Sequence, residues 1–183
     1  MNTRTSLAGA IFSDIQVLTR DGETTSLIPR VTAGLSSEEQ PSWFLIVVYR
    51  GQHCPICAKY LNQLQSREQD FAALNVQLVA VSADSVEQLN DFYADKIADV
   101  AFSVYAGLSK DEMQNLGLFL SEPMSASETD HVFAEPAMFL VNAERKIQIA
   151  EIASAPFVRP NLDQLIGGIK YVRENDYPIR GTA

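Results

Sequence analysis

The stretch Trp43-Phe-Leu-Ile-Val-Val-Tyr-Arg-Gly-Gln-His-Cys-Pro-Ile-Cys-Ala-Lys-Tyr60 decides how this chain is read. Its unbroken apolar run, Trp43 to Tyr49, has the signature of a strand buried on both faces. The run stops at Arg50-Gly51, and a helical polar–apolar pattern then begins with Cys54 and Cys57, the chain's only cysteines. With Cys54 at the N-cap and Pro55 at the first helical position, Cys57 falls one turn in on the same face. Sulfurs so placed close a disulfide with little backbone movement. The free N–H groups of a helix start favour thiolate over thiol, so Cys54 is expected to titrate below the ordinary thiol range. The pair reads as a nucleophile with a resolving partner, the redox reading of a Cys-x-x-Cys beside a strand–helix unit. Two other readings compete: inert buried thiols, or half of a zinc site. Structural zinc wants four ligands, and the only further candidates are His53, awkwardly adjacent to Cys54, and the distant His131. No metal and no organic cofactor is expected.

Outward from this stretch, the chain suits a single domain over residues 1–183, large enough for a core without disulfide staples. Hydrophobic residues make up 46% and charged residues 20%, ordinary for a soluble globular protein. The net charge of −9 argues against nucleic acid and anionic membrane surfaces as partners. Met1 to Ala10 lacks both a basic segment and a long apolar one, so no signal peptide is expected. The seven-residue run at Trp43–Tyr49 is the longest apolar stretch, too short for a membrane span. A cytoplasmic protein is the expectation, with chemistry rather than scaffolding as the use of its two cysteines.

Upstream, residues 11 to 28 read as a hairpin turned at Asp21-Gly22. Residues 30 to 42 read as a polar connection with a solvated Glu38-Glu39. Downstream, Cys57, Leu61, Leu64 and Phe71 keep one helical face, and Leu74 to Ser82 is a second core strand. Ser85 and Gln88 form a capping box for a helix through Val86, Leu89, Tyr93 and Ile97. A short strand at Phe102–Tyr105 and a helix near Lys110–Leu116 follow. Residues 120 to 134 read as a surface loop. Ala137–Asn142 and Lys146–Ile152 form an antiparallel pair, and Pro160 opens a last helix with a Leu162, Leu165, Ile166, Ile169 stripe. This order gives an α/β fold: a mixed central sheet flanked by helices. Right-handed crossover sets the first two core strands parallel and side by side. The dithiol then lies at the carboxyl end of a central strand, where such sheets place their chemistry.

These residues resemble the thioredoxin fold and, within it, the peroxiredoxin-like (AhpC/TSA) branch in its atypical Cys-x-x-Cys form. The resemblance rests on Tyr49-Arg50-Gly51-Gln52-His53-Cys54-Pro55-Ile56-Cys57, on Glu135-Pro136-Ala137-Met138-Phe139-Leu140, and on the hairpin ending in Asp21-Gly22-Glu23, which looks like an N-terminal β-hairpin extension over residues 1–30. The tail Tyr177-Pro178-Ile179-Arg180-Gly181 resembles an ending of the same branch. The resemblance implies that Pro136 is a cis-proline facing the disulfide. It also implies a disulfide or peroxide substrate, an external thiol reductant of thioredoxin or glutathione type, and a homodimer. Three departures, at four positions, set the chain apart from it. Val47 and Gly51 stand where peroxide-binding members carry proline and threonine, and Pro136 stands where they carry an arginine. Val48 stands where thioredoxins carry a buried acid.

Around Cys54 and Cys57 four residues form the expected site environment besides Pro55. Arg50 is either a solvated strand-end residue or the electrostatic support of the Cys54 thiolate and a donor to peroxide oxygen. His53 reads as a shield for the sulfur rather than a general base. Glu135 reads as solvated, with an influence on local charge, and Pro136 as a backbone edge for a substrate. His131 reads as plain loop. The functional expectation is a thiol-dependent oxidoreductase cycling between the Cys54/Cys57 dithiol and disulfide. A redox sensor or binding module switched by that disulfide is the alternative.

Overall fold

A computed structural model of the chain describes residues 7–28 and 43–183. The polar connection expected at 30–42, with Glu38 and Glu39, lies outside the described residues. The described chain runs β1 (Gln16–Leu18), β2 (Thr24–Ser26), β3 (Trp43–Val48), α1 (Pro55–Ser66), α2 (Glu68–Ala73), β4 (Val76–Val81), α3 (Val86–Asp95), β5 (Ser103–Tyr105), α4 (Lys110–Asn115), β6 (Leu120–Ser121), β7 (Phe133–Ala134), β8 (Ala137–Val141), β9 (Ile147–Ile152) and α5 (Leu162–Glu174).

The central sheet has the order β5-β4-β3-β8-β9. β3 is parallel to β4 and antiparallel to β8, so the sheet is mixed. Alternation along β3 explains why its sequence carries no polar position. Leu45, Val47 and Tyr49 join α1, α3 and Ile169 of α5 in one core cluster. Phe44, Ile46 and Val48 point the other way, into a second cluster with Phe12, Ile15, Val17, Leu27 and Met113 of α4. The hairpin β1–β2 thus closes the second face of the sheet. Leu61 and Leu64 of α1 are fully buried in the first cluster, each contributing roughly 1.5–3 kcal/mol relative to exposure.

Four elements differ from their sequence reading. The helix after Cys57 is broken at Arg67 (φ −115°, ψ 8°) into α1 and α2, and the Arg67 guanidinium is held by Asp70 and by Asp163 of α5. The buried face is unchanged, because Phe71 stands seven positions after Leu64, two turns on. Pro160 precedes the last helix instead of opening it: Asn161 is the N-cap, accepting from Gln164 N–H at 3.1 Å, while the Pro160 carbonyl accepts from Tyr60 Oη at 2.9 Å. The 120–134 segment is exposed through its middle, but its ends pair as β6 and β7, and Phe133 is fully buried. Pro136 is trans, as is every peptide bond among the described residues. Its carbonyl accepts from Ala153 N–H at 2.9 Å, extending the β8–β9 ladder, and the extended backbone there suits the trans form that X–Pro bonds prefer by about 0.5–1 kcal/mol.

Candidate active site

Strand β3 delivers the site. Beyond Val48 the chain turns through Tyr49-Arg50-Gly51-Gln52-His53 and enters α1 with Cys54 as its N-cap and Pro55 at the first turn. Cys54 Sγ accepts from Cys57 N–H at 3.2 Å, occupying a donor that a helix start leaves open. Cys54 and Cys57 are joined in a disulfide with their Cα atoms 5.2 Å apart. Both cysteines are nearly sealed from solvent, at 1% and 0% exposure.

The cover over the pair includes a residue that the sequence reading did not single out. Arg159, on the segment between β9 and α5, donates from Nη2 to Cys57 Sγ at 2.9 Å. Its Nε donates to the Pro156 carbonyl at 2.9 Å, and its guanidinium lies 5.1 Å from the Tyr60 ring centroid. Burial pushes the Arg159 pKa down, partly countered by Tyr60 and by Glu135. No local signal marks Arg159, since it lies 102 positions from the sulfur it touches.

Arg50 is not a solvated strand end. Its Nη2 pairs with Glu128 at 3.1 Å, its Nε lies 3.5 Å from Glu135 Oε1, and its guanidinium sits 4.6 Å from the Phe133 ring centroid. Its charge is directed at two carboxylates rather than at the sulfurs. Glu135, read as solvated, is 6% exposed and accepts from Ser121 Oγ at 2.7 Å. A carboxylate is tolerated there because a guanidinium and a hydroxyl replace its water. Pro136 follows it, and the pairing of Val48 with Ala137 sets Pro136 beside the end of β3, where the cysteine loop departs.

A second buried acid underlies the loop. Asp84, fully buried after β4, accepts from Gln52 N–H at 2.8 Å. Lys96 Nζ donates to the Gln52 carbonyl at 2.8 Å, so the Gln52 backbone is held at both its N–H and its carbonyl. Burial pushes the Asp84 carboxyl above its ordinary range, against the Gln52 hydrogen bond, which lowers it. His131 is more than plain loop: its Nε2 lies 3.6 Å from Asp84 Oδ1, and its Nδ1 lies 2.8 Å from Asp130. The sequence clue to Asp84 is slight, an acid just past the carboxyl end of a core strand beside β3.

His53 packs its ring 4.7 Å from that of Phe133. Both of its ring nitrogens are buried without a hydrogen-bond partner. Burial, then the charge of Arg50, lowers its pKa from 6.5 to about 4. His53 is therefore neutral at pH 7, with its ring packed on Phe133. The unfolded chain takes up this proton near pH 6.5 while the folded one waits until about 4, so stability is lost as pH falls through that window. Replacing His53 with phenylalanine keeps the ring contact and removes two orphaned polar atoms. The variant is expected to be more stable by about 1 kcal/mol or more at neutral pH, with the gap widening on acidification. Urea unfolding at pH 7 and pH 5 checks this; a less stable variant, or a constant gap, rejects it.

The structure thus joins Cys54 to Cys57, with Arg159 on the Cys57 sulfur and Pro55 exposed at the helix start, and it sets Arg50 and His53 against Phe133 with Glu135 beside Arg50. It places Pro136 at the edge of the strand end. No helix among the described residues is long and apolar enough to cross a membrane.

The sequence model of the AhpC/TSA family matches residues 9–150. A peroxiredoxin of Methanococcus vannielii is 25% identical over 175 residues, covering 93% of this chain and 74% of the relative. Peroxiredoxin 2 of Picrophilus torridus is 24% identical over 143 residues, covering 76% of this chain and 67% of the relative. Among solved structures, peroxiredoxin 6 of Arenicola marina matches with a TM-score of 0.70 at 16% identity, over 91% of this chain and 73% of that one. Mycobacterium tuberculosis AhpC matches with a TM-score of 0.67 at 16% identity, over 92% and 93%. At such identities the solved structures speak to the fold, which is the mixed sheet described above.

Proposed function

The chain belongs to the AhpC/TSA family, and on that premise we propose that this thiol-dependent oxidoreductase reduces disulfides in preference to peroxides, with Cys54 as nucleophile and Cys57 as resolving thiol. The observation that carries the reading is the Cys54–Cys57 disulfide at the start of α1, its inner sulfur held by Arg159.

In the disulfide reaction the Cys54 thiolate attacks one sulfur of the substrate, and the other substrate sulfur leaves as thiolate. Cys57, as thiolate, attacks Cys54 Sγ of the mixed disulfide, releasing the second substrate thiol and closing the Cys54–Cys57 bond. In the peroxide reaction the Cys54 thiolate takes the proximal oxygen to give a sulfenic acid, the other oxygen leaving as alcohol or water. The Cys57 thiol then condenses with the sulfenic acid and releases water. Either way two electrons leave the dithiol, and an external thiol of thioredoxin or glutathione type in a reducing, cytoplasmic compartment restores them.

The preference for disulfides follows from what surrounds Cys54. Peroxide cleavage needs a donor aimed at the leaving oxygen. Arg50 is occupied by Glu128 and Glu135, and Val47 and Gly51 bring no hydroxyl. Peroxide reduction keeps the support of the relatives' name, peroxiredoxin. Phe157 and Val158, on the segment that carries Arg159, are exposed and offer a docking substrate an apolar surface beside the sulfurs. Stopped-flow oxidation of the reduced protein by hydrogen peroxide and by an alkyl hydroperoxide, beside an insulin-disulfide reduction assay, separates the two. Slow peroxide oxidation with brisk insulin reduction is expected. The reverse ranking overturns the preference, and inactivity in all three assays, with stoichiometric oxidation only, favours a redox sensor.

A further inference from the structure

We propose that Arg159 is a catalytic residue of the return half-reaction: it receives Cys57 as the leaving thiolate and so directs the external reductant to Cys54 Sγ. The proposal deepens the function above and rests on it. A disulfide is symmetric in its covalent chemistry, so which sulfur is attacked depends on which one departs more easily. The departing sulfur carries the electron pair of the broken bond, and a lower thiol pKa makes it leave faster. Here the two sulfurs differ in surroundings. Cys57 Sγ has a guanidinium N–H at 2.9 Å. Cys54 Sγ has the Cys57 backbone N–H at 3.2 Å, a neutral donor, and backbone–thiolate contacts of this kind are the weaker of the two.

The guanidinium is well fixed for the task. Pro156 takes its Nε, the Tyr60 ring lies beneath it, and Tyr60 is itself anchored through its hydroxyl to Pro160 at 2.9 Å. The other charged or titratable groups in its electrostatic range are Tyr60, Glu135 and Arg50. Arg50 is shared between Glu128 and Glu135, so Glu135 and Arg50 offset one another only in part, and the positive charge in contact with Cys57 is that of Arg159. The step is balanced as follows. The reductant thiolate attacks Cys54 Sγ, a new sulfur–sulfur bond forms to Cys54, the Cys54–Cys57 bond breaks, and its electron pair stays on Cys57 beside Arg159. A second reductant thiol then releases Cys54 and completes its own disulfide.

The test uses the full chain with Cys54→Ser, in which Cys57 is the only thiol. Its thiolate is titrated by ultraviolet absorbance, which requires no reagent to reach the buried sulfur. Arg159→Met is expected to raise the midpoint by about 1–3 pH units, the range for loss of an opposite charge at contact, and Arg159→Lys to recover part of the shift. In the two-cysteine protein, Arg159→Met is expected to slow reduction by dithiothreitol on the order of tenfold at neutral pH, with a more negative dithiol potential. An unmoved midpoint with only a lower unfolding temperature means that Arg159 is structural, and overturns the proposal. The titration does not depend on any acceptor. A moved midpoint in a protein that reduces neither insulin nor peroxide therefore sinks the proposed function while leaving the Arg159–Cys57 coupling in place.

Discussion

Cys54→Ser abolishes turnover with every acceptor, by at least about a thousandfold, while Cys57→Ser leaves the first chemical step intact and stops the cycle after it. The asymmetry follows from position. Cys54 is the N-cap, at the edge of the helix, and Cys57 lies one turn deeper with its sulfur against Arg159. A serine hydroxyl at 54 still caps the helix, since serine is among the preferred capping residues, so the fold survives. What is lost is the nucleophile, because an alcohol is not ionised at neutral pH and the hydrogen bond at this position comes from a backbone N–H, not from a base. With serine at 57, Cys54 still attacks, but nothing nearby displaces the product. The trapped species reports the acceptor: a mixed disulfide by mass spectrometry after exposure to a disulfide, or a sulfenic acid captured by dimedone after exposure to peroxide. If Cys57→Ser loses the first step and Cys54→Ser keeps it, the assignment of roles is wrong.

Much of this arrangement is local, and local arrangements are what periodicity and capping rules detect. The strand–turn–helix of Trp43–Ser66, the N-cap at Cys54 and the capping box at Ser85 and Gln88 each depend on residues a few positions apart. The hairpin turned at Asp21-Gly22 and the parallel pairing of β3 with β4 follow in the same way, from turn chemistry and from crossover handedness. The break at Arg67 was not visible because the apolar spacing from Leu64 to Phe71 suits one helix or two.

The chemistry around the sulfurs is non-local, and there the sequence misleads. Glu135 reads as solvated because acids usually are; its burial depends on Arg50, 85 positions earlier, and on Ser121 across β6 and β7. His131 sits in a polar segment and gives no sign of reaching Asp84. Arg159 stands in an irregular stretch between β9 and α5, and only the packing of that stretch over α1 brings it to Cys57. Pro136 shows a different failure. A resemblance supplied the cis geometry, whereas the Glu135–Pro136 bond is trans and Pro136 enters the β8–β9 ladder through its own carbonyl.

The loop that carries the dithiol depends on one residue without a side chain, and Gly51→Ala should be the most disruptive glycine-to-alanine substitution among the described residues. Gly51 has φ +145°, and an added Cβ would stand 2.5 Å from Asp84 Oδ1 and 3.0 Å from His53 Nδ1. Neither neighbour gives way cheaply. Asp84 is fully buried and holds Gln52 N–H at 2.8 Å, and the His53 ring is backed by Phe133. Backbone strain at such a φ costs about 1–3 kcal/mol, and overpacking adds about 1–3 kcal/mol, giving an expected loss of roughly 2–6 kcal/mol in urea unfolding. Gly22→Ala separates the two contributions, because Gly22 also has a positive φ, +81°, but nothing lies within 4 Å of its added Cβ. It should cost only the strain, about 1 kcal/mol. Because Gly51, Gln52 and Asp84 together set where α1 begins, Gly51→Ala should also shift the dithiol potential, and Gly22→Ala, in the hairpin, should not. Equal destabilisation by the two substitutions, or an unchanged potential in folded Gly51→Ala, would show that the Asp84 contact does not position the cysteines.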